Sequence, residues 1–506
     1  MKNALSESYV KILSVLLCFA VYCAVSFDMI NLPIDDVYVS LRYVWNFIHG
    51  NGLVFNPGEH VEGYSNPTWI FLVSFFAKIL SAGSKHELII INRIISFVVL
   101  FLAYLFFYKT FRIYIKDKLI SFLFLLLLCA NYPLNSYAFA GMETPVVLLL
   151  LAMFFYFYNR YITQKSRTAL YLSALFLGLL SISRPEGIIY IASLILSVII
   201  YENRFEKLSM GQSVKKSLSF SYLSIIIFAA FIIFRLSYYG ELMPNTAAAK
   251  NYFTPETFIR GAQYILAGIF LGLGGFLSLL IFHTNKTSYS KFKQFFILID
   301  IIILAQSSFI LYTGWDWMAS FRFVLPLLPL IFLVIFLTFD LQKKYVLIII
   351  LIVLIPQTYF QRYFIRSSWS RLSGFSEIRL VSTGYKDVGE FLNKIKKPDD
   401  LMLIQEAGFV PFATGIKTFD LCGLTDKHLA SIYGPHFRVL DLNYSLSVRK
   451  PTIIVTFQTL FDNETNSYYS EEYFQSNAVL QSDIFRQNYR NIYYKYEIGV
   501  FVLKDR

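Results

Sequence analysis

The chain has 506 residues, of which 56 % are hydrophobic, 18 % aromatic and 15 % charged, and its mean hydropathy is +0.54. Soluble domains carry about 25 % charged residues, so this composition excludes a soluble enzyme, a disordered chain and a fibrous protein, and it indicates a polytopic membrane protein. The net charge of +12 does not point to nucleic acid, because Lys and Arg occur mostly in short runs between apolar segments and no basic helix or RNP-like stretch is found.

Apolar segments of about 20 residues predict helices that cross a bilayer. Lys2 and Lys11 precede the apolar core of the first of these segments, which could therefore also be a cleaved signal peptide; we expect it to remain as a membrane anchor. The eleven predicted spans are 9–27, 88–108, 119–136, 144–159, 168–183, 187–201, 218–235, 258–282, 294–312, 323–339 and 345–360.

A shorter apolar stretch, 68–82, contains Lys78 and decides the predicted topology. If it does not cross, the basic clusters from Lys109 onward fall on the cytoplasmic side, whereas a crossing would move all of them outside. The positive-inside rule therefore predicts a re-entrant or interfacial helix here. The N-terminus is then cytoplasmic and the C-terminus lies outside.

The composition changes near residue 361, where the long apolar segments end. Segment 384–397 has the pattern of an amphipathic helix, and 401–405, 452–457 and 498–503 resemble strands. We therefore predict a transmembrane catalytic domain over 1–360. A soluble α/β domain on the extracytoplasmic side is predicted over 361–506.

The first outer loop, 27–69, carries two adjacent acids. Pro33 precedes Asp35 and Asp36, and apolar residues then recur at helical spacing as far as Gly50. This pattern predicts an interfacial helix with both carboxylates at its N-terminus, where the helix dipole favours the ionised form. Such a carboxylate can accept a proton from an alcohol. The alternative is that one Asp caps the helix, which accounts for only one of the two acids.

Other outer loops add charged groups at membrane depth. Arg184 and Glu186 lie between two apolar spans, where an Arg is costly and is either functional or part of a structural ion pair. Lys250 and Arg322 are two further cations on the predicted outer side, while Glu62 is either a solvated acid or a functional one. Cations opposite acids suit a phosphate leaving group beside a base.

Several common catalytic motifs are missing from the sequence. We find no Walker A loop, GxGxxG, HExxH or CxxC pair, and the six histidines have no metal-ligand spacing. Because nothing in these motifs handles ATP, an activated donor has to reach the outer face already energised, as a lipid-phosphate sugar does. No cofactor is certain, although adjacent carboxylates could bind Mg²⁺ or Mn²⁺.

The outer-loop motifs resemble a known family. DDVYVSLRY followed by HGNGLVFNPGEHVEGYSNPTW is similar to the first outer loop of bacterial GT-C membrane glycosyltransferases, most of all to the terminal β-(1→2)-arabinofuranosyltransferases of mycobacterial type. GMETP, SRPEG, YYGELMPNT, GWDWM and FDLCGLTD follow in the order typical of that group. The resemblance thus covers about residues 30–430.

The resemblance implies a GT-C fold and an inverting transfer of a sugar, arabinofuranose or another pentose, from a polyprenyl-phosphate donor. The acceptor would be a hydroxyl of a cell-envelope glycan or glycolipid. The enzyme would lie in membrane lipid, with its active site at the extracytoplasmic face of a bacterial inner membrane. An acid of the Asp35–Asp36 pair would be the general base. The candidate donor-phosphate or substrate-binding residues are Arg42, Glu62, Tyr64, Arg184, Glu186, Asn245, Lys250, Asp316 and Arg322.

Two other classes of membrane protein stay open. An O-antigen ligase or polymerase would use a diphosphate-linked glycan, so only the donor distinguishes it. A flippase or transporter of lipid-linked sugars would place ionisable residues near the bilayer midplane and often shows repeated halves. The acids here cluster in outer loops and no halves repeat, which favours the glycosyltransferase.

Overall fold

The structure, a computed structural model, falls into two compact units. One, here called the helical unit, comprises residues 1–31, 92–233 and 253–369; the other, the mixed unit, comprises 32–91, 234–252 and 370–506. The first outer loop therefore groups with the C-terminal segment, although the division predicted from composition follows chain order. The described residues are 2–27, 30, 34–248, 253–273, 292–314, 316, 318–338, 359, 362–363, 383–432, 440–462, 465, 467–470 and 474–506.

Long apolar helices account for most of the helical unit. Within the described residues, five helical segments are long and apolar enough to cross a membrane: Lys85–Tyr114, Thr144–Gln164, Pro185–Arg204, Met210–Tyr239 and Lys293–Thr313. Further helices are Lys2–Phe27, Lys118–Ala130, Tyr132–Asn135, Arg167–Ser181, Pro255–Leu273 and Leu327–Thr338. Helices thus overlap the first ten predicted spans. The eleventh, 345–360, lies outside the described residues apart from residue 359.

The stretch 68–82 forms the 13-residue helix Pro67–Ile79. At 1.5 Å per residue it is about 20 Å long, against about 30 Å of bilayer hydrocarbon. Helix Lys118–Ala130 has the same length, so length alone does not separate an interfacial helix from a span. Pro67–Ile79 belongs to the mixed unit and Lys118–Ala130 to the helical unit. The interfacial position stays a prediction.

One helix end inside the helical unit shows how the chain satisfies its backbone. Helix Lys118–Ala130 stops at Asn131, whose side chain accepts a hydrogen bond from the Leu134 N–H. Asn135 Nδ2 in turn donates to the carbonyls of Cys129 and Asn131, at 2.9 and 2.7 Å. Both asparagines are buried. The break therefore leaves these backbone groups paired, as apolar surroundings require.

The C-terminal part of the mixed unit is a small α/β domain, which confirms the predicted class. Its sheet has the order β2-β1-β3-β7-β6, and a separate hairpin pairs β4 with β5. The strands are β1 Leu401–Ile404, β2 Lys417–Asp420, β3 Ile453–Thr456, β4 Thr459–Asp462, β5 Ser467–Ser470, β6 Tyr489–Lys495 and β7 Ile498–Leu503. The helices of the mixed unit are Asp36–Ile48, Pro67–Ile79, Asn245–Ala248, Tyr385–Ile395, Phe409–Thr414, Lys427–Ser431, Phe474–Gln481 and Asp483–Asn488.

Strand β1 lies between β2 and β3 and runs parallel to both of them. Its alternating side chains fill two hydrophobic cores, with Met402 and Ile404 in one and Leu403 in the other. Open α/β sheets bind their ligands beyond the carboxyl ends of such strands. Residues 405–408, which follow β1, therefore occupy the edge where functional groups are expected.

Candidate active site

The loop helix Asp36–Ile48 begins where the sequence predicts, with Asp35 at its N-cap. The Asp35 side chain makes no capping hydrogen bond to this helix. Its Oδ1 accepts instead from the Phe409 N–H at 2.8 Å, at the start of helix Phe409–Thr414. Asp35 therefore does not cap the helix that it precedes, because its carboxylate binds the N-terminus of a different helix.

Gly408 allows this close approach. A Cβ atom placed on Gly408 would lie 2.1 Å from Asp35 Oδ2 and 2.2 Å from the Asp35 carbonyl oxygen. Real Cβ atoms do not approach other heavy atoms this closely, so a larger residue would displace the carboxylate. The φ of Gly408 is −89°, which other residues also adopt. The glycine is thus required by contact with Asp35.

The surroundings of Asp35 raise its pKa well above the ordinary value. The largest cause is burial of the carboxyl group; the charges of Glu406 and Asp36 act in the same direction. Hydrogen bonds from backbone N–H groups oppose the shift without overcoming it. The expectation that the helix N-terminus would favour an ionised Asp35 is therefore wrong, because burial and two neighbouring acids outweigh it. Asp36 is exposed.

Arg42, a predicted donor-phosphate ligand, is buried and bound to protein oxygens. Its Nε donates to the Phe55 carbonyl at 2.8 Å, and its terminal nitrogens donate to the Pro411 and Ile416 carbonyls and to Asn56 Oδ1 at 2.6, 2.8 and 3.0 Å. Burial lowers the pKa of Arg42 to about 9, so it remains charged at neutral pH. Because four of its five N–H groups are used, we do not propose it as a phosphate ligand.

Three other predicted residues of the mixed unit also have protein partners. Glu62 is buried, and its Oε2 lies 2.7 Å from Nε of Arg235. Burial raises the pKa of Glu62 to about 7 even though Arg235 opposes the shift. The buried Tyr64 hydroxyl lies 3.1 Å from another tyrosine hydroxyl. Asn245 Nδ2 donates to the Gly423 carbonyl at 3.2 Å. These contacts support structural roles.

A cluster of five charged residues lies in the helical unit. Arg184 pairs with both Glu143 and Glu186. Arg322 binds Asp316 through two hydrogen bonds of 2.6 and 3.0 Å, and its third nitrogen lies 3.6 Å from Glu143. The ion-pair alternative for Arg184 and Glu186 is therefore observed. The cluster holds three carboxylates against two guanidinium groups.

The same cluster forms the charged part of a small pocket. Arg184, Glu186 and Arg322 line it together with Thr144 and Tyr190. The Thr144 hydroxyl is buried and has no hydrogen-bond partner among the described residues. The pocket is thus lined by guanidinium groups that carboxylates already hold.

Lys250 lies outside the described residues. Among the residues that the structure does describe, no three His, Cys, Asp or Glu side chains are grouped as a metal site requires.

Two residues near the site, Arg235 and Glu406, were not predicted as candidates from the sequence. Arg235 stands at the end of the predicted span 218–235, where a charge at membrane depth is a usable signal. Glu406 directly follows a predicted strand, and only its tertiary neighbours reveal it.

Sequence comparisons give two partial matches. Residues 375–498 match a family described as a domain of unknown function, DUF8728. A terminal β-(1→2)-arabinofuranosyltransferase of Mycobacterium tuberculosis (strain ATCC 25618 / H37Rv) is 27 % identical over 232 residues, which cover 43 % of this chain and 34 % of that protein. The chain thus spans about a third of the length of this curated relative.

Solved structures match over nearly the whole chain. ArnT from Cupriavidus metallidurans in the apo state has a TM-score of 0.60 at 12 % identity and 98 % coverage of both chains. The same protein bound to undecaprenyl phosphate gives 0.58 at 11 % identity and the same coverage.

The archaeal oligosaccharyltransferase AglB from Archaeoglobus fulgidus, in complex with an inhibitory peptide and a dolichol-phosphate, gives a TM-score of 0.58 at 12 % identity. The match covers 96 % of this chain and 80 % of AglB. The resemblance drawn from the loop motifs is thereby confirmed. The chain is a multi-pass membrane protein with the GT-C fold and a C-terminal α/β domain.

Proposed function

We propose that the protein is a glycosyltransferase that moves a sugar from a polyprenyl-phosphate donor to a hydroxyl of a cell-envelope glycan or glycolipid. The observation that carries the proposal is Asp35, a carboxyl with a raised pKa whose orientation is fixed by the Phe409 N–H. General bases work best when their pKa lies near the operating pH. An aspartate with a raised pKa therefore suits removal of a proton from an alcohol.

The step would proceed as follows. Asp35 takes the proton of the acceptor hydroxyl while the acceptor oxygen bonds to the anomeric carbon of the sugar. The bond from that carbon to the phosphate oxygen breaks, and the electron pair leaves with the lipid phosphate. Attack opposite the leaving group inverts the anomeric configuration. We assign the base to Asp35 because Asp36 is exposed at the first turn of its helix.

Relatives support the donor and the sugar. One structural neighbour was solved with undecaprenyl phosphate and another with a dolichol-phosphate. The curated relative is an arabinofuranosyltransferase, so arabinofuranose, or another pentose, is the proposed sugar. We place the reaction at the extracytoplasmic face of a bacterial inner membrane, where the positive-inside rule puts the first outer loop.

For the donor phosphate we propose the pocket of the helical unit that Arg184 and Arg322 line. Arginine binds phosphate through paired N–H groups. Since both guanidinium groups already bind carboxylates, the phosphate would have to replace carboxylate contacts. Substitution of Asp316 by Asn should therefore tighten donor binding, whereas substitution of Arg322 by Ala should weaken it.

The test is an assay with purified protein, synthetic polyprenyl-phosphate arabinofuranose and a panel of glycan acceptors, scored by mass spectrometry. A pentose-sized mass gain that is lost in Asp35→Asn would support the reaction and the site. Asp399→Asn, which changes an exposed aspartate of the α/β domain, is the matched control and should retain activity. Transfer from diphosphate-linked glycans alone, or from no donor, would contradict the proposal.

A further inference from the structure

Glu406 lies at the carboxyl edge of the C-terminal sheet. It is the second residue after strand β1, whose neighbours β2 and β3 both run parallel to it. In open α/β sheets this edge carries ligand-binding and catalytic groups. Topology therefore gives Glu406 a position that an ordinary surface glutamate does not have.

The short segment from Glu406 to Phe409 meets Asp35 in three ways. The Phe409 N–H donates to Asp35 Oδ1 at 2.8 Å. A Cβ atom on residue 408 would clash with Asp35 Oδ2, so only glycine fits at this position. The charge of Glu406 reaches Asp35 and is, after burial, the largest cause of its raised pKa. One turn of chain thus both orients the carboxyl and changes its proton affinity.

Glu406 is itself held in place. The Tyr385 hydroxyl donates to Glu406 Oε2 at 2.6 Å, and Tyr385 is only 3 % exposed in the hydrophobic core of the domain. Tyr385, a buried aromatic residue at the start of helix Tyr385–Ile395, therefore holds the Glu406 carboxyl group in place.

We propose that the C-terminal domain completes the acceptor-activating site, with Glu406 as a positioning residue for Asp35 and Gly408–Phe409 as the backbone support of its carboxylate. This assignment rests on the proposed function. It also gives a role to the segment 375–498, whose family has no described function.

The chemistry follows from the like charge. Two nearby carboxylates resist simultaneous ionisation, so the pair retains a proton to a higher pH than a lone aspartate does. Asp36, at the start of the loop helix, adds to the repulsion, and the Tyr385 hydroxyl stabilises the ionised form of Glu406. The charge of Arg42 is directed to carbonyls at the far end of helix Phe409–Thr414. Removal of the Glu406 charge should make Asp35 easier to ionise and a weaker base.

The first test is the pH profile of kcat/KM for Glu406→Gln, which keeps an oxygen for Tyr385. Because Asp35 has to be ionised to act, activity falls as pH drops through its pKa. We expect the acid limb of Glu406→Gln to move to lower pH by about one unit. Glu390→Gln, an exposed glutamate of the same domain paired with Lys386 at 3.9 Å, should leave the limb in place. An unchanged limb in Glu406→Gln would overturn the proposal.

A second test does not need turnover. Dicyclohexylcarbodiimide modifies protonated carboxyl groups, so labelling of Asp35, followed by peptide mass spectrometry across pH, reports its protonation directly. The labelling midpoint should fall by about one pH unit in Glu406→Gln and stay constant in Glu390→Gln. An unchanged midpoint overturns the pairing itself. A shifted midpoint in a protein that transfers no sugar from any donor overturns the proposed function instead.

Discussion

Two groups of acids in this protein are stabilised in opposite ways. In the helical unit, Glu143, Glu186 and Asp316 lie against the guanidinium groups of two arginines. In the mixed unit, Asp35 has two further acids near it and takes its hydrogen bonds from backbone N–H groups. Pairing with a cation keeps an acid ionised, whereas like charge and burial raise the pKa of an acid, so that it keeps its proton to a higher pH. The first arrangement suits structure or anion binding, and the second suits proton transfer.

The largest effect on the transfer rate is expected when the carboxylate of Asp35 is removed. We expect Asp35→Asn to lower the transfer rate by about 10²–10⁴-fold, the usual contribution of a general base. The measurement is the initial rate with a polyprenyl-phosphate sugar, alongside Asp399→Asn as the control. A rate near that of the unaltered protein would remove Asp35 from the catalytic role.

The opposite prediction applies to the helical unit, where removal of a partner should affect stability. Arg322→Ala leaves the buried Asp316 and Glu143 without this guanidinium. Such a loss typically costs about 3–5 kcal/mol, seen as a large fall in the unfolding temperature in detergent. Arg322→Lys should recover part of it, because an ammonium keeps the charge but lacks the two-pronged geometry. Equal stability of all three proteins would contradict this pairing.

Gly408→Ala tests whether the position of the Asp35 carboxylate matters, because it displaces this group without removing it. The added Cβ would lie 2.1 Å from Asp35 Oδ2, so the carboxylate has to shift. A displacement of about 1 Å can cost about 10²-fold in rate. The control is Gly211→Ala, since a Cβ there meets nothing within 4 Å. Full activity of Gly408→Ala would show that the close contact has no catalytic role.

The smallest effect is expected at a partly exposed ion pair of the mixed unit. Lys417 Nζ lies 2.7 Å from Glu59 Oε1, with the lysine side chain 50 % exposed. Exposed pairs of this kind contribute about 0–1 kcal/mol, so Lys417→Ala should change the unfolding temperature little and the transfer rate not at all. A large loss of activity would mean that Glu59 belongs to the site.

Local pattern was enough to predict the elements that local pattern controls. Helical spacing after Asp35 and Asp36 gave the loop helix, and three strand-like runs coincide with β1, β3 and β7. The short strand β2 was missed because KTFD has no clear alternation. The sheet order also depends on contacts between distant segments, which a single sequence does not display.

The site was less predictable for the same reason. The hydrogen bond from Phe409 to Asp35 joins residues 374 positions apart, and the contribution of Glu406 comes from the same distant segment. The predicted cations illustrate the converse limit. Sequence marks Arg42 and Arg184 as charges in apolar surroundings, but it does not show which oxygens neutralise them. Arg42 turned out to hold helix Phe409–Thr414 through carbonyls.

The contacts between the loop helix and helix Phe409–Thr414 also determine when the surroundings of Asp35 are completed during synthesis of the chain. Asp35 holds the first turn of that short helix and Arg42 the carbonyls near its last turn. At about 5–20 residues per second, the ribosome needs roughly 20–75 s to reach Phe409 after it has made Asp35. Throughout that interval Asp35 lacks the Phe409 N–H as a hydrogen-bond donor. The carboxyl group therefore acquires its final orientation only after most of the chain has been made, and a chain that ends before Phe409 lacks the hydrogen bond that orients Asp35.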